Sequence, residues 1–165
     1  MANREHLRAW CNDTRPADDF TIDQNRDDLA AHVEEAEEGF AYGYTIWDPS
    51  GSLVLGSVYL YPAAFFAGRY KMDEASRARL EFCGVLVDYW LDETLELDSA
   101  FSEAFVRELQ RWLREAWGFS ALAWATRPQM ANREQLYQAV GFSRQQTCEA
   151  IHTPGWYQTF HISDA

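Results

Sequence analysis

Apolar residues recur at helical spacing between Thr21 and Glu38. Ile22, Leu29, Val33 and Ala36 share a stripe, six acids (Asp27, Asp28, Glu34, Glu35, Glu37, Glu38) fill the outer face, and Gly39 can stop the helix. Phe40 to Trp47 is aromatic and β-branched and reads as a strand. Asp48-Pro49-Ser50-Gly51 is turn chemistry, and Leu53 to Tyr61 is a second strand ended by Pro62, so the two predict an antiparallel hairpin. Ala63 to Ser76 is irregular, a loop or a short helix. Leu80 to Leu91 is a long apolar run that suits a strand covered on both faces. After the polar connection DETLELD, Ser99 to Trp117 is an amphipathic helix. Phe101, Phe105, Leu109, Trp112, Leu113 and Ala116 form its stripe, and Gly118 is its C′ residue. Phe119 to Ala125 is a strand, Arg127-Pro128 breaks the chain, and Asn132 to Val140 is a helix stopped by Gly141. Two strands, Phe142 to Ile151 and Trp156 to Ile162, flank Thr153-Pro154-Gly155. The strand–helix–strand unit in the middle requires at least one parallel pairing in a mixed sheet.

The chain of 165 residues is read as a single domain over 1–165. It is 47% hydrophobic, too apolar for disorder. Charge changes the picture more. There are 26 acids against 14 bases, net −12, and Lys71 is the one lysine. This balance argues against nonspecific binding to nucleic acid or anionic membrane and suits a cationic partner. Cys11, Cys83 and Cys148 lack a paired spacing and read as reduced thiols in a cytoplasmic protein. No apolar run reaches the roughly 18–20 residues of a membrane span. The start, MANREHLRAWCND, has no apolar core of a signal peptide. His6, His32, His152 and His161 share no metal-ligand spacing, so no metal is expected.

The element order, together with Leu136-Tyr137-Gln138-Ala139-Val140-Gly141-Phe142, resembles the GNAT-type N-acetyltransferase family over about residues 20–162. The "LYQAVGF" element looks like the family's L-Y-x-x-x-G-F ending, where a helix closes at Gly and a strand starts at Phe. The resemblance implies an α+β (mixed α/β), GNAT-like fold, with a mixed central sheet, splayed parallel strands and flanking helices. It implies acetyl-CoA lying where the two parallel strands part, the pantetheine on main-chain groups at the end of the long strand, and the pyrophosphate on the next loop and helix N-terminus. The family signature there is Q/R-x-x-G-x-G/A. Here LDSAFS stands in its place, with Leu97 at the Q/R position, Ala100 at the first Gly and Ser102 at the Gly/Ala position. The cofactor-binding residues so implied are Leu91, Ala100, Phe101 and Ser102.

By the same resemblance Tyr137 is the general acid that protonates the departing thiolate. Asp88 or Glu81, both on the apolar run, is the general base; seven residues apart on one strand, they would face opposite ways. Asn132 reads as an N-cap. Trp47, Tyr59, Tyr61, Phe65 and Phe66 line an acceptor pocket or belong to the core. From Leu80 to Val106 there are seven acids (Glu81, Asp88, Asp92, Glu93, Glu96, Asp98, Glu103) and no Lys, Arg or His. Phosphates beside such a stretch meet like-charge repulsion unless Arg127, Arg133 or Arg144 approaches from elsewhere. Three readings follow. One is an acetyltransferase acting on a small-molecule or peptide amine, cationic if the acidic surface attracts it. The second is a binding or regulatory protein of the same fold that has lost the cofactor. The third is an acidic mimic of nucleic acid. The aromatic terminal strands allow a homodimer.

Overall fold

The computed structural model describes residues 21–164, so His6, Cys11 and the start MANREHLRAWCND lie outside the described residues. Thr21 and Gln24 form a reciprocal capping box that starts α1, Ile22–Glu37. Strands β1, Tyr42–Trp47, and β2, Val54–Pro62, make the expected antiparallel hairpin. A short helix α2, Ala63–Ala67, and a two-residue strand β3, Tyr70–Lys71, resolve the irregular stretch.

The apolar run from Leu80 is not one strand. Asp73 Oδ1 accepts from Ser76 N at 2.7 Å and caps α3, Glu74–Phe82, while β4 spans only Val85–Leu91. A short apolar run cannot separate the end of a buried helix from a strand by periodicity. The break falls at Cys83-Gly84, where a Cβ on Gly84 would meet the Phe119 ring at 2.6 Å. Glu81 therefore sits on the exposed side of α3, not on the strand.

Helix α4, Glu93–Leu97, precedes α5, Ser99–Trp117, which ends on Gly118 at φ 74°. Its buried stripe is Ser102, Val106, Leu109 and Leu113, with Phe101 and Phe105 half-buried. Trp112 and Ala116, expected inside, are exposed, because the helix is rolled toward Val106 over the sheet. Strand β5, Leu122–Thr126, helix α6, Ala131–Ala139, and strands β6, Ser143–Ala150, and β7, Tyr157–Ser163, complete the order.

The seven strands form one mixed sheet in the order β1-β2-β4-β5-β7-β6-β3. Only β4–β5 pairs in parallel; β7 is interior, so it offers no edge to a second copy. One face carries Val87, Tyr89, Trp124 and Phe160's neighbour His161 under α5 and α6; the other carries Leu86, Ala123 and Phe160 with Leu80 of α3. No helix among the described residues is long and apolar enough to cross a membrane. Cys83 and Cys148 are buried free thiols; burial pushes Cys83 up to about 11.

His161 is fully buried, and neither ring nitrogen has a hydrogen-bond partner among the described residues. Burial lowers its pKa from 6.5 to about 4. Between those values the unfolded chain takes up a proton that the folded chain refuses, so stability falls as pH drops from 6.5 toward 4. The loss expected from this residue is about 2 kcal/mol. Urea unfolding across that range should show the slope in the native chain and a flatter one in His161→Phe.

Candidate active site

The parallel ladder of β4 and β5 runs through Val85/Leu122, Leu86/Ala123 and Val87/Trp124 and ends there. Beyond it the two strands part, and chemistry-bearing side chains gather at the point of divergence. Asp88 lies on one face of the gap and Tyr89 on the other, as strand alternation requires.

Tyr137 reaches the gap from α6. It is fully buried, and its hydroxyl donates to the Ala125 carbonyl at 3.2 Å, beside the last paired residue of β5. Trp124, Phe142 and His161 pack its ring at centroid distances of 5.9, 5.5 and 5.0 Å. Burial drives its pKa well above 10, so the phenol keeps its proton. The Tyr89 hydroxyl lies beside it, likewise raised by burial. Thr126 Oγ1 is buried there with no partner among the described residues.

Asp88 is buried and held by Arg127, with Nη2 to Oδ2 at 2.7 Å and Nη1 to Oδ1 at 3.3 Å. Its Oδ1 also accepts from the Tyr89 N–H at 2.9 Å. Glu81, on α3, does not join this group. On the Asp88 face, Tyr59 is its cross-strand neighbour, and Tyr59 and Tyr61 stack 6.4 Å apart. His32 of α1 tilts over Tyr59 at 5.2 Å, and Phe66 meets Tyr61 edge-on at 5.2 Å. A groove of about 430 Å³ opens between α1 and this hairpin, lined by His32, Glu37, Tyr44 and Tyr59. Trp47 stands at the other end of β1, paired with Val54 and exposed, outside the aromatic cluster.

The loop that should meet phosphates is closed on itself. Asp98 Oδ1 accepts from Ala100 N at 3.0 Å and Phe101 N at 3.1 Å, so a carboxylate of the chain already caps α5. Ser102 is buried, its hydroxyl donating to the Leu95 and Glu96 carbonyls at 3.1 and 3.2 Å. Phe101 stacks on Phe105, and Leu91 is buried opposite Gly56 at the end of β4. Asn132 is exposed in the first turn of α6; Met130 is the N-cap and makes no side-chain bond, so Asn132 is not the cap.

Between α5 and α6 runs a groove of about 350 Å³, lined by Glu96, Ser102, Glu103, Asn132 and Arg133 among others. Arg133 is fully buried, with Nε and Nη2 on Glu96 at 2.8 and 2.6 Å, Nη1 on the Tyr89 carbonyl at 2.6 Å, and its guanidinium 3.9 Å over the Tyr89 ring. Arg133, one of the arginines the sequence leaves free to approach the acidic stretch, meets Glu96 of that stretch here, together with Tyr89, which the motif comparison passes over. One signal was available: Arg133 lies four residues before Tyr137, hence on the same helical face. The strands part beside buried hydroxyls, while the groove next to them holds one cation, Arg133, already paired with Glu96, and ends at a helix N-terminus capped by Asp98.

No protein-family model matches the chain, and no curated protein matches it. Solved structures do. A ribosomal-protein-S5-alanine acetyltransferase from Vibrio fischeri superposes with a TM-score of 0.64 at 17% identity, over 99% of this chain and 82% of the other. RimL, a ribosomal alpha-N-protein acetyltransferase in complex with coenzyme A, gives 0.61 at 10% identity, over 99% and 82%. A variant of spermidine N-acetyltransferase SpeG from Vibrio cholerae gives 0.58 at 8% identity, over 84% and 74%. The chain thus has the fold of the GNAT-type acetyltransferases.

Proposed function

We propose that this chain is an N-acyltransferase that moves an acetyl group from acetyl-CoA to an amine. The observation that carries the reading is the parting of β4 and β5 after Val87/Trp124, with the Tyr137 hydroxyl turned onto Ala125 at that point. When bound, acetyl-CoA supplies an activated acetyl thioester. Tyr137 holds at Oη the proton that the departing sulfur needs, and its surroundings keep it protonated. Of the two carboxylates expected as base, Asp88 stands at the gap, so the amine proton goes to it, directly or through water. Arg127 fixes both of its oxygens in place.

The acceptor enters from the opposite face, beside Tyr59, Tyr61 and the acids of α1. Stacked phenol rings and nearby carboxylates suit a cationic amine, by cation–π attraction and by charge. Fold neighbours that act on a protein alanine and on spermidine are consistent with amine acceptors. Buried, unreactive free thiols suit a reducing compartment such as the cytoplasm.

The test is a thermal shift with acetyl-CoA. At a hundred times the dissociation constant the fold gains about 2.7 kcal/mol, which raises Tm by roughly 5–10 °C in a chain this size. Radiolabelled acetyl transfer to spermidine and to an alanine-terminated peptide then identifies the acceptor class. A second reading, a binding module without the cofactor, is favoured by one arrangement: Asp98 takes up the Ala100 and Phe101 N–H groups and Arg133 the Tyr89 carbonyl, main-chain groups of the kind the resemblance gives to the cofactor. An unchanged Tm at millimolar acetyl-CoA would establish that reading instead.

A further inference from the structure

The Tyr89 carbonyl belongs to β4 just past the last residue paired with β5. The parting of the strands takes away its sheet partner on that side, and the structure replaces that partner with Arg133 Nη1. This is the strip of main chain that the pantetheine arm needs under the acyltransferase reading, on which the inference rests. The same guanidinium is held by both oxygens of Glu96, whose side chain is 7% exposed. The groove beyond it ends at an α5 N-terminus already capped by Asp98.

We propose that Arg133 is a two-position latch on the cofactor slot. Held by Glu96 and the Tyr89 carbonyl, it closes the gap between β4 and β5. Released, it frees that carbonyl for the ligand arm and presents to the phosphates the cation that the LDSAFS loop lacks. One residue thus accounts for both departures from the family pattern, the blocked strand edge and the missing Q/R side chain.

Release leaves the sheet intact. Glu96 sits in the five-residue helix α4, and Arg133 in the first turn of α6, whose N-cap makes no side-chain bond. Neither residue is part of a strand ladder. Guanidinium binds a diphosphate in the same forked geometry that it uses for a carboxylate, so Glu96 and the ligand compete for the same donors.

Calorimetric titration of the full chain with coenzyme A and, separately, with pantetheine tests the latch. Glu96→Gln, which weakens the closed state and keeps the cation, is expected to bind coenzyme A about tenfold more tightly than the native chain. Arg133→Met, which removes the cation, should bind coenzyme A about tenfold less tightly relative to pantetheine than the native chain does. Arg133→Lys serves the same comparison if the Met variant does not fold, and should retain part of the preference for coenzyme A. Equal coenzyme A affinity in the native chain and Glu96→Gln overturns the latch, and so does an unchanged ratio in the Arg133 variants. The enzyme reading is judged separately by acetyl transfer. Tighter binding to Glu96→Gln without transfer to any amine supports the latch and removes the acyltransferase; transfer by the native chain with unchanged affinity in Glu96→Gln does the reverse. Failure of every form to bind either ligand overturns both.

Discussion

Turnover of the Tyr137→Phe variant is expected to fall by roughly 10²- to 10⁴-fold, the usual worth of a placed general acid. Cofactor affinity should stay within about twofold, because the change deletes one oxygen and keeps the ring. The aromatic packing on Trp124, Phe142 and His161 is preserved, so the stability cost is limited to the hydrogen bond to Ala125, about 1 kcal/mol. Steady-state kcat, a calorimetric dissociation constant for acetyl-CoA and a thermal melt together separate these effects. Undiminished kcat in the variant would remove Tyr137 from the chemistry and leave it as a packing residue. A parallel loss of kcat and fold would point the same way.

Arg127→Met should destabilise the chain by about 3–5 kcal/mol. Asp88 and Arg127 are both buried, and their two-point contact, together with the Tyr89 N–H on Asp88 Oδ1, offsets the cost of bringing the carboxylate out of water. Removal of the cation leaves a buried negative charge against Leu86, Ala123 and Ala125, which lie on that face. For a chain of this size the melting temperature should drop by about 10 °C. The double variant Asp88→Leu/Arg127→Met should recover most of that loss, since replacing both partners removes the buried carboxylate along with its counter-ion. A double-mutant cycle by urea unfolding measures the coupling. Additive single effects would show that the pair does not hold the site together. Under the proposed acyltransferase reading, in which Asp88 is the base, amine acetylation should stay lost even where stability recovers.

Local pattern carried much of the architecture. The β1–β2 hairpin was legible because its turn residues interrupt β-branched runs, and α5 because nineteen residues share one period and end at Gly118. The parallel pair and its placement before α6 followed from the strand–helix–strand order. The run from Leu80 reads as one strand on apolarity alone, yet Leu80 lies in the last turn of α3, which runs to Phe82, and Val85 opens β4; both are buried, and burial is the same signal in either element. Trp112 belongs to the apolar stripe by spacing, but the facing sheet decides which part of a wide stripe is covered, and Trp112 stays exposed. Asp98 was legible as an acid in an awkward place. Its role as the cap that takes up the N–H groups of Ala100 and Phe101 depends on backbone geometry that spacing alone leaves open.

Charge shows the division between the two levels most clearly. The sequence by itself determines that Leu80 to Val106 holds seven acids and no base, and that a cation must come from elsewhere if anything anionic is to bind. It also determines which arginines are available. Only the tertiary structure decides among them: Arg127 crosses 39 residues to Asp88, Arg133 crosses 37 to Glu96, and Arg144 goes instead to Glu134. Helical and strand periods report neighbours a few residues apart. The partners of a buried charge are set by which strands lie side by side and where they part. The acids around the gap are thus neutralised by residues that no local pattern joins to them, and one of those residues, Arg133, closes the slot that the fold provides.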